Sequence, residues 1–366
     1  MLCRRSFLKR AALGLTAPLI NRGRFCLFAQ GRLTPPYSAL TLELVRRSTV
    51  IDMLGLLTLN YRKLSAWEAG GFEAGDYQRL KDSGINIFHP AVGFTDGDVY
   101  ASSLRDIEGL NALISAYPDR FFRVDGSGDL DRAKTLGKIG ILIGQQNSKH
   151  FRTLNDVDCF YSLGQRVSQL TYVQNRIGGG SSDGLDIGLT VFGAQVVERM
   201  NAMGMAVDIS HCGDRTTLDA IEASAKPVLI THSNCRALVP NSPRCKTDEA
   251  IRRAAARGGV IGVTMVRYFV HSGATATIED VLDHIDHITR LVGVEHVGLG
   301  SDVDLDGRDP HGAHLEVRRR NDLDGIDYAK KIFDLTEGLL RRNYSPRHIE
   351  LILGGNFQRV LSEIWT

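Results

Sequence analysis

Eight short runs of apolar and β-branched residues alternate with longer helical patterns, and this alternation restricts the fold more than any other feature of the chain. Repeated strand and helix units predict a parallel sheet covered by helices, and eight of them fit a (β/α)₈ barrel, the TIM barrel. The competing open, doubly wound sheet would need a G-x-G-x-x-G turn after an early strand, which the sequence lacks. The predicted strands are 49–56, 85–92, 138–146, 167–172, 206–210, 228–233, 260–266 and 296–302. The predicted helices are 73–83, 103–116, 192–203, 216–223, 248–257, 278–292, 328–341 and 345–352.

The charge balance narrows the classes of partner. The 366 residues hold 44 Lys and Arg against 42 Asp and Glu, a formal net charge of +2. A chain that binds nucleic acid through a basic surface carries a large positive surplus, so this balance argues against a nucleic-acid partner. No apolar run reaches the roughly 20 residues of a membrane-spanning helix. Since α/β barrels commonly use about 250 residues or more as one domain, residues 37–366 predict a single barrel.

The first 29 residues have the composition of an export leader. Arg4 and Arg5 precede Ser-Phe-Leu-Lys and a short apolar run, and no acidic residue comes before Glu43. This pattern resembles a bacterial twin-arginine signal, which predicts export to the periplasm, with a leader-anchored membrane association as the alternative to cleavage. Residues 1–29 contain six basic side chains, so their removal would leave the rest of the chain mildly acidic.

Polar side chains follow three of the predicted strands. Strand five is followed by His211, strand six contains His232, and strand eight ends at Asp302. The carboxyl ends of barrel strands face the active site, so these three side chains should converge. Two neutral imidazoles and a carboxylate can bind a divalent metal such as zinc with a position left for water. A lone histidine is more often a hydrogen-bonded core residue, but the joint placement favours a metal site.

The same segments resemble the membrane (renal) dipeptidase family of zinc hydrolases. They are LTY at 170–172, GLTVFG at 188–193, DISHCG at 208–213, THSNCRAL at 231–238, PR at 243–244, HVGLGSD at 296–302 and GGN at 354–356. Together they are highly specific and span about 164–359. The resemblance implies a metal-dependent-hydrolase type of TIM barrel that cleaves dipeptides at a two-zinc site.

The resemblance also implies roles for individual residues. His211 and His232 would bind one zinc, Asp302 would transfer protons, and Arg244 would bind the substrate carboxylate through its planar fork. Arg236 is the rival for the carboxylate and ranks lower. Tyr172 stands where many members have a histidine, and its phenol could donate a hydrogen bond to an oxyanion. Asn234 is predicted to contact substrate.

The first metal site departs from the family pattern. Leu54 and Leu56 occupy the two positions of a His-x-Asp pair, and Gln146 replaces a bridging glutamate. Leucine cannot bind a metal, and an amide is a poor zinc ligand. We therefore predict one Zn²⁺ per chain, held by His211 and His232 and completed by Asp302 or Gln146. Candidates to compensate for the lost ligands are Asp52, His89, His150, Asp304, Asp306 and His311; the loop histidines are interpreted as surface side chains.

Two functions from different classes fit these residues. The favoured one is an exported metallodipeptidase that hydrolyses a dipeptide, or a related small amide with a free carboxylate, through metal-activated water. The alternative is a barrel that has lost peptidase chemistry and binds or non-hydrolytically modifies a peptide-like metabolite. The sequence leaves open whether the barrel forms a homodimer.

Overall fold

Eleven short parallel strands form one sheet in the computed structural model, which describes residues 36–92, 97–182, 185–308 and 321–366. The sheet order is β3-β6-β7-β8-β9-β10-β11-β1-β2-β5-β4. The strands are β1 Ile51–Asp52, β2 Ile87–Phe88, β3 Ala91–Val92, β4 Phe121–Arg123, β5 Ile139–Ile141, β6 Gly144–Gln145, β7 Val167–Gln169, β8 Ala206–Asp208, β9 Leu229–Ser233, β10 Val260–Val263 and β11 Val297–Leu299.

The sheet closes into a barrel of eight segments. Strands β2 and β3 belong to one stretch of chain, as do β5 and β6, so the two ends of the strand order meet. The first stretch pairs with β1 through Ile51 and Ile87 and with the second stretch through Ala91 and Gly144. The predicted (β/α)₈ barrel is confirmed. The strand β4 is missing from the prediction; it pairs with β5 and is not one of the eight barrel segments.

Most of the helices connect one strand to the next, as the crossover of parallel strands requires, while among the described residues one precedes β1 and three follow β11. Several begin at the expected caps; for example, the Thr190 hydroxyl accepts a hydrogen bond from the Gly193 backbone N–H. They are Ala39–Arg47, Tyr61–Ala66, Ala74–Asp82, Val99–Ala116, Arg132–Leu136, Leu154–Ser162, Val191–Met203, Asp214–Ala223, Asp248–Ala256, Arg267–Val270, Ile278–Val292, Lys331–Arg341, Pro346–Glu350 and Asn356–Ile364.

The last helix, Asn356–Ile364, packs into the strand core. Its buried Phe357 and Leu361 cluster with strand residues such as Ile51 and Leu229. A side chain at Gly298 would collide with the Phe357 ring, so glycine there lets the helix approach the sheet. Full burial of a large apolar side chain contributes about 1.5–3 kcal/mol each. This apolar packing anchors the C-terminal segment to the barrel.

Residues Leu40–Thr366 form one compact unit. The leader predicted at 1–29 lies outside the described residues. Within the described ranges, no helix is both long and apolar enough to cross a membrane.

The buried His284 ties the helix Ile278–Val292 to the end of β9, and it makes the stability of the fold depend on pH. Its Nδ1 accepts a hydrogen bond from the Cys235 backbone N–H at 3.2 Å, and its Nε2–H donates to the Val270 carbonyl at 2.9 Å. Both contacts are consistent with a neutral ring. Burial lowers the pKa of His284 to about 4.

We expect the free energy of unfolding to fall as the pH drops from about 6.5 toward 4. In that window the unfolded state binds a proton that the native His284 excludes, because the unfolded pKa is about 6.5. The loss through this residue between pH 7 and pH 4.5 should be about 2–3 kcal/mol. Urea unfolding at both pH values would measure it, and His284→Gln should remove that part of the loss. An unchanged pH dependence in the variant would contradict the assignment.

Candidate active site

The carboxyl ends of barrel strands and the loops after them surround a cavity of about 530 Å³. This volume is typical of small-molecule sites. Four predicted site residues, Tyr172, His211, Arg244 and Asp302, line this one cavity, as the geometry of a barrel requires. The described residues that line it are Tyr172, Ser181, Ser182, His211, Val239, Asn241, Ser242, Pro243, Arg244, Tyr268, Phe269, Ser272, Asp302 and Arg308.

The two predicted metal-binding histidines face each other. The Nε2 atoms of His211 and His232 are 3.0 Å apart, and both side chains are buried. The Thr231 hydroxyl donates its proton to the Asp208 carboxylate at 2.7 Å, so its oxygen accepts the Nδ1–H of His232 at 2.8 Å. This chain of contacts fixes the tautomer of His232 and leaves the lone pair of Nε2 directed at His211. Such support of a ligating histidine by a second side chain is common at metal sites.

Both rings are neutral at physiological pH. Burial lowers the pKa of His211 and of His232 well below the ordinary value, and the nearby positive charge of Arg244 lowers both further. A neutral imidazole is the form that binds a metal. Tyr172 stacks on the His211 ring with centroids 4.1 Å apart, and burial, with the negative charge of Asp302, raises the pKa of its phenol. Tyr172 therefore keeps its proton and can donate it in a hydrogen bond.

Asp302 is held in an unusual conformation by its neighbours. Its φ of 58° lies in the left-handed region, which non-glycine residues seldom adopt. Its backbone N–H donates to the Leu54 carbonyl at 2.9 Å, and Arg308 donates through Nη1 to both the Asp302 carboxylate and its carbonyl, at 2.7 and 2.8 Å. Burial raises the pKa of Asp302, whereas the positive charge of Arg308 lowers it. Strained backbone of this kind is concentrated at functional sites.

Arg308 is the site residue that the sequence analysis missed. It lies in the polar stretch of the sequence that follows strand eight. A charged residue in a polar loop is usually solvated, so nothing in its local pattern distinguishes it. The only available signal was its position shortly after the end of a barrel strand.

Arg244 is a buried cation whose hydrogen-bond partners are all neutral. Only 3% of the residue is exposed. Its Nη1 donates to the Ser210 carbonyl at 2.7 Å and to the Ser233 hydroxyl at 3.2 Å, and its Nη2 donates to the His232 carbonyl at 2.7 Å. The Nε atom has no partner among the described residues. Because a buried charge is costly without a counterion, this guanidinium is suited to an anionic ligand.

The rival arginine has another role. Arg236 forms a two-pronged ion pair with Asp214, at 2.5 and 2.7 Å, and donates to the Cys245 carbonyl. It does not belong to the described cavity lining. The geometry therefore favours Arg244 as the residue that binds a carboxylate.

The residues at and near the predicted first metal site make contacts of another kind. Leu54 is fully buried, and Asp52, a candidate to compensate for the lost ligands, instead pairs with the buried Lys331 at 3.4 Å and accepts the Ser301 hydroxyl at 2.5 Å. Lys331 also donates to the Val303 carbonyl at 2.9 Å. The Lys331 ammonium group thus pairs with Asp52, the carboxylate nearest in sequence to Leu54 and Leu56.

The other candidate compensating residues also have structural roles. The prediction that His89 and His150 are surface side chains is wrong, since both are buried. The Nδ1 of His89 contacts the Leu142 carbonyl at 2.8 Å, and His150 contacts the Asn147 carbonyl and the Gln165 amide. Asp304 accepts the Leu59 backbone N–H, and Asp306 pairs with Arg79. His311 lies outside the described residues.

One further expectation needs correction. Asn234 was expected to contact substrate, but its amide bonds the backbone of Thr264 and Phe269, and it is fully buried and absent from the described cavity lining. The glycines 178–180, which follow Tyr172 closely in the sequence, pack tightly: a side chain on Gly180 would come within 2.7 Å of the Val173 Cα atom, and the next residue, Ser181, donates its N–H to the His211 carbonyl.

The candidate metal ligands that the structure brings together are few. Among the described residues, no group of three or more His, Cys, Asp or Glu side chains is placed to hold a metal. His211 and His232 supply two converging nitrogen ligands. The amide of Gln146 donates through Nε2 to the Ala91 carbonyl at 3.2 Å, so its oxygen stays a candidate third ligand.

Comparison with known proteins identifies relatives of the whole barrel. The family profile described as "Membrane dipeptidase (Peptidase family M19)" matches residues 41–366. The curated "Dipeptidase tcpJ" of Claviceps purpurea (strain 20.1) is 30% identical over 280 residues, covering 74% of this chain and 62% of that protein. The matched regions of five such relatives cover 52% to 65% of their own lengths.

Solved structures agree on the fold. An amidohydrolase from Pseudomonas aeruginosa superposes with a TM-score of 0.76 at 30% identity, covering 89% of this chain and 99% of that one. A metallo peptidase from Rhodobacter sphaeroides, liganded with a phosphinate mimic of the dipeptide L-Ala-D-Ala, superposes with a TM-score of 0.70 at 20% identity, covering 87% of this chain and 99% of that chain. At that identity the second likeness supports the fold alone.

Proposed function

The chain belongs to the membrane dipeptidase family, peptidase family M19, and on this premise we propose that it is a metal-dependent hydrolase of dipeptides or related small amides with a free carboxylate. The family consists of metallopeptidases, so dependence on a metal follows from membership. The observation that carries the proposal is the facing histidine pair beside the buried Arg244 and Asp302. We propose zinc, one ion per chain, as the metal.

His211 and His232 would hold the metal through their Nε2 atoms, with the Gln146 amide oxygen as a weak third ligand. At that position a divalent ion supplies Lewis-acid polarisation of the scissile carbonyl and lowers the pKa of water. The neutral state of both rings and the fixed tautomer of His232 suit this role. Leu54 and Leu56 leave a second ion without ligands at the first site.

The remaining site residues bind substrate and move protons. Arg244 pairs with the substrate carboxylate through its planar fork, which orients the amide bond. Asp302 accepts a proton from the attacking water and delivers it to the leaving amine; its raised pKa makes the protonated form accessible during this exchange. Arg308 orients the Asp302 carboxylate. Tyr172 donates a hydrogen bond to the oxygen that becomes negative during attack.

Metal analysis and dipeptide hydrolysis by the purified protein test the proposal. We expect elemental analysis to find about one zinc per chain. A screen of dipeptides of both stereochemical series, followed by amine release, should detect hydrolysis, and chelation of the metal should abolish that activity. Activity should return on addition of zinc. A protein that holds no metal and hydrolyses none of these amides would contradict it.

One observation favours a second candidate function. The leucines at the first metal site and the Asp52–Lys331 ion pair are what a barrel without peptidase chemistry would have. Such a protein would bind, or modify without hydrolysis, a peptide-like metabolite. Calorimetric binding of a dipeptide without turnover would favour this function over the first.

Export through the twin-arginine route to the periplasm is proposed from residues 1–29 alone, with retention of the leader as a membrane anchor as the alternative. A homodimer is a separate proposal. Neither affects the assignment of the site residues, all of which lie between 146 and 308.

A further inference from the structure

The fixed charges that line the cavity are two guanidinium groups and one carboxylate, as far as its described lining goes. The carboxylate, Asp302, is already in contact with Arg308 at 2.7 Å. The second guanidinium, Arg244, contacts only neutral oxygens. The side chains of the described lining therefore leave one positive charge unpaired, before the charge of any bound metal is added.

A ligand with a single carboxylate would balance the unpaired guanidinium, and a bound divalent metal would only add to the positive charge of the site. Its carboxylate would pair with Arg244, whose Nε–H has no partner among the described residues. A free dipeptide brings an ammonium group as well, and this group would restore the positive excess. Its one candidate counterion in the described lining, Asp302, would have to leave Arg308. Like charges placed together in a buried site cost several kcal/mol.

Part of the wall around these charges is apolar and could contact an acyl group. Val239, Pro243 and Phe269 present apolar surface, and the Phe269 ring lies 5.2 Å from the Arg244 guanidinium carbon. The backbone carbonyl of the buried Leu54 accepts the Asp302 N–H, so this neighbour of Asp302 supplies no second carboxylate for an ammonium.

We propose that the preferred substrates are N-acyl amino acids: amides with a terminal carboxylate and no free ammonium group. This inference rests on the proposed hydrolytic function and narrows its substrate class. In the reaction the amide C–N bond breaks, the hydroxyl of water joins the acyl carbon to form a carboxylic acid, and the amine takes the remaining proton to give the free amino acid.

A matched pair of ligands isolates the ammonium group. N-acetyl-alanine and glycyl-alanine share the amide bond and the carboxylate, and they differ by the amino group of the glycyl unit. Calorimetry with the metal-loaded protein should show N-acetyl-alanine bound at least about tenfold more tightly, tested with both L- and D-alanine because of the cost of like charges. Where a ligand is hydrolysed, the ratio of kcat/KM gives the same comparison.

The variant Arg308→Gln supplies a second readout. Loss of this guanidinium frees the Asp302 carboxylate to pair with an ammonium, so the preference for N-acetyl-alanine should shrink or reverse. The exposed Arg252, on the helix Asp248–Ala256, offers a control: Arg252→Gln removes the same charge outside the cavity lining and should leave the ratio unchanged.

Equal or tighter binding of glycyl-alanine by the unaltered protein, binding of neither ligand, or an unchanged ratio in Arg308→Gln would overturn the inference. The two proposals fail separately. Binding in the expected ratio without hydrolysis would contradict the hydrolytic function and support the preference for ligands without an ammonium group. Hydrolysis of both amides with glycyl-alanine preferred would contradict the preference for ligands without an ammonium group and support the hydrolytic function.

Discussion

Replacement of His211 by alanine is expected to remove bound metal and to lower kcat/KM by at least about 10³-fold. The histidine pair supplies both imidazole ligands of the proposed site, and no third acidic, thiolate or imidazole side chain joins them among the described residues. One remaining nitrogen cannot hold the ion. Lewis-acid stabilisation amounts to several kcal/mol in the transition state, and each 1.36 kcal/mol is a factor of ten in rate. Elemental analysis and steady-state kinetics measure the two effects.

Two further variants separate loss of metal from loss of structure. Thr231→Val keeps both imidazoles and removes the oxygen that accepts the Nδ1–H of His232, so metal affinity should fall by only about 10–100-fold. Tyr172→Phe keeps the ring that stacks on His211 and should retain the metal with reduced activity. His211→Ala with full metal content and full activity would exclude the histidine pair as the metal site.

The barrel was predictable because its signal is repeated. Each barrel segment is a short apolar run, and eight such runs between helical patterns leave few alternatives. The strand lengths were not predictable: the run 49–56 yields only Ile51–Asp52, since the chain turns immediately afterwards and Gly55 donates its N–H to the Asp52 carbonyl. The strand Phe121–Arg123 was missed because three residues are too few to show the alternation of apolar and polar side chains that identifies a strand in a sequence.

The core of the site was predictable for a related reason. His211, His232 and Asp302 lie at strand ends, and the barrel brings strand ends together whatever their separation in sequence. His89 and His150 were misassigned to the surface, because the burial of a single polar residue depends on partners elsewhere in the chain. His89 contacts the Leu142 carbonyl, and His150 contacts Gln165. Neither contact can be predicted from the residues that flank His89 or His150 in the sequence.

Charge pairing between distant segments was the least visible feature. The pair of Asp52 and Lys331 joins the first strand to a helix near the C-terminus, and both side chains are fully buried. Arg308 reaches Asp302 only because the loop after β11 folds back over the strand end. Leu54, Leu56 and Gln146 predict the absence of the first metal site from sequence, but only the structure places Lys331 beside Asp52 and Arg308 beside Asp302.

Arg244→Lys is expected to lower kcat/KM by about 10²–10³-fold, mainly through a higher KM, while Arg236→Lys changes it by less than about threefold. A buried, charge-assisted pair with a carboxylate contributes about 2–5 kcal/mol, and lysine keeps the charge but not the two parallel donors of the fork. Arg236 is already satisfied by Asp214 and lies outside the described cavity lining, so a lysine there can keep that ion pair. Steady-state kinetics with one amide substrate and thermal unfolding of both variants make the comparison. The two substitutions are chemically identical and differ only in which arginine faces the cavity. A large decrease of kcat/KM in Arg236→Lys together with a small decrease in Arg244→Lys would therefore assign the binding of the substrate carboxylate to Arg236.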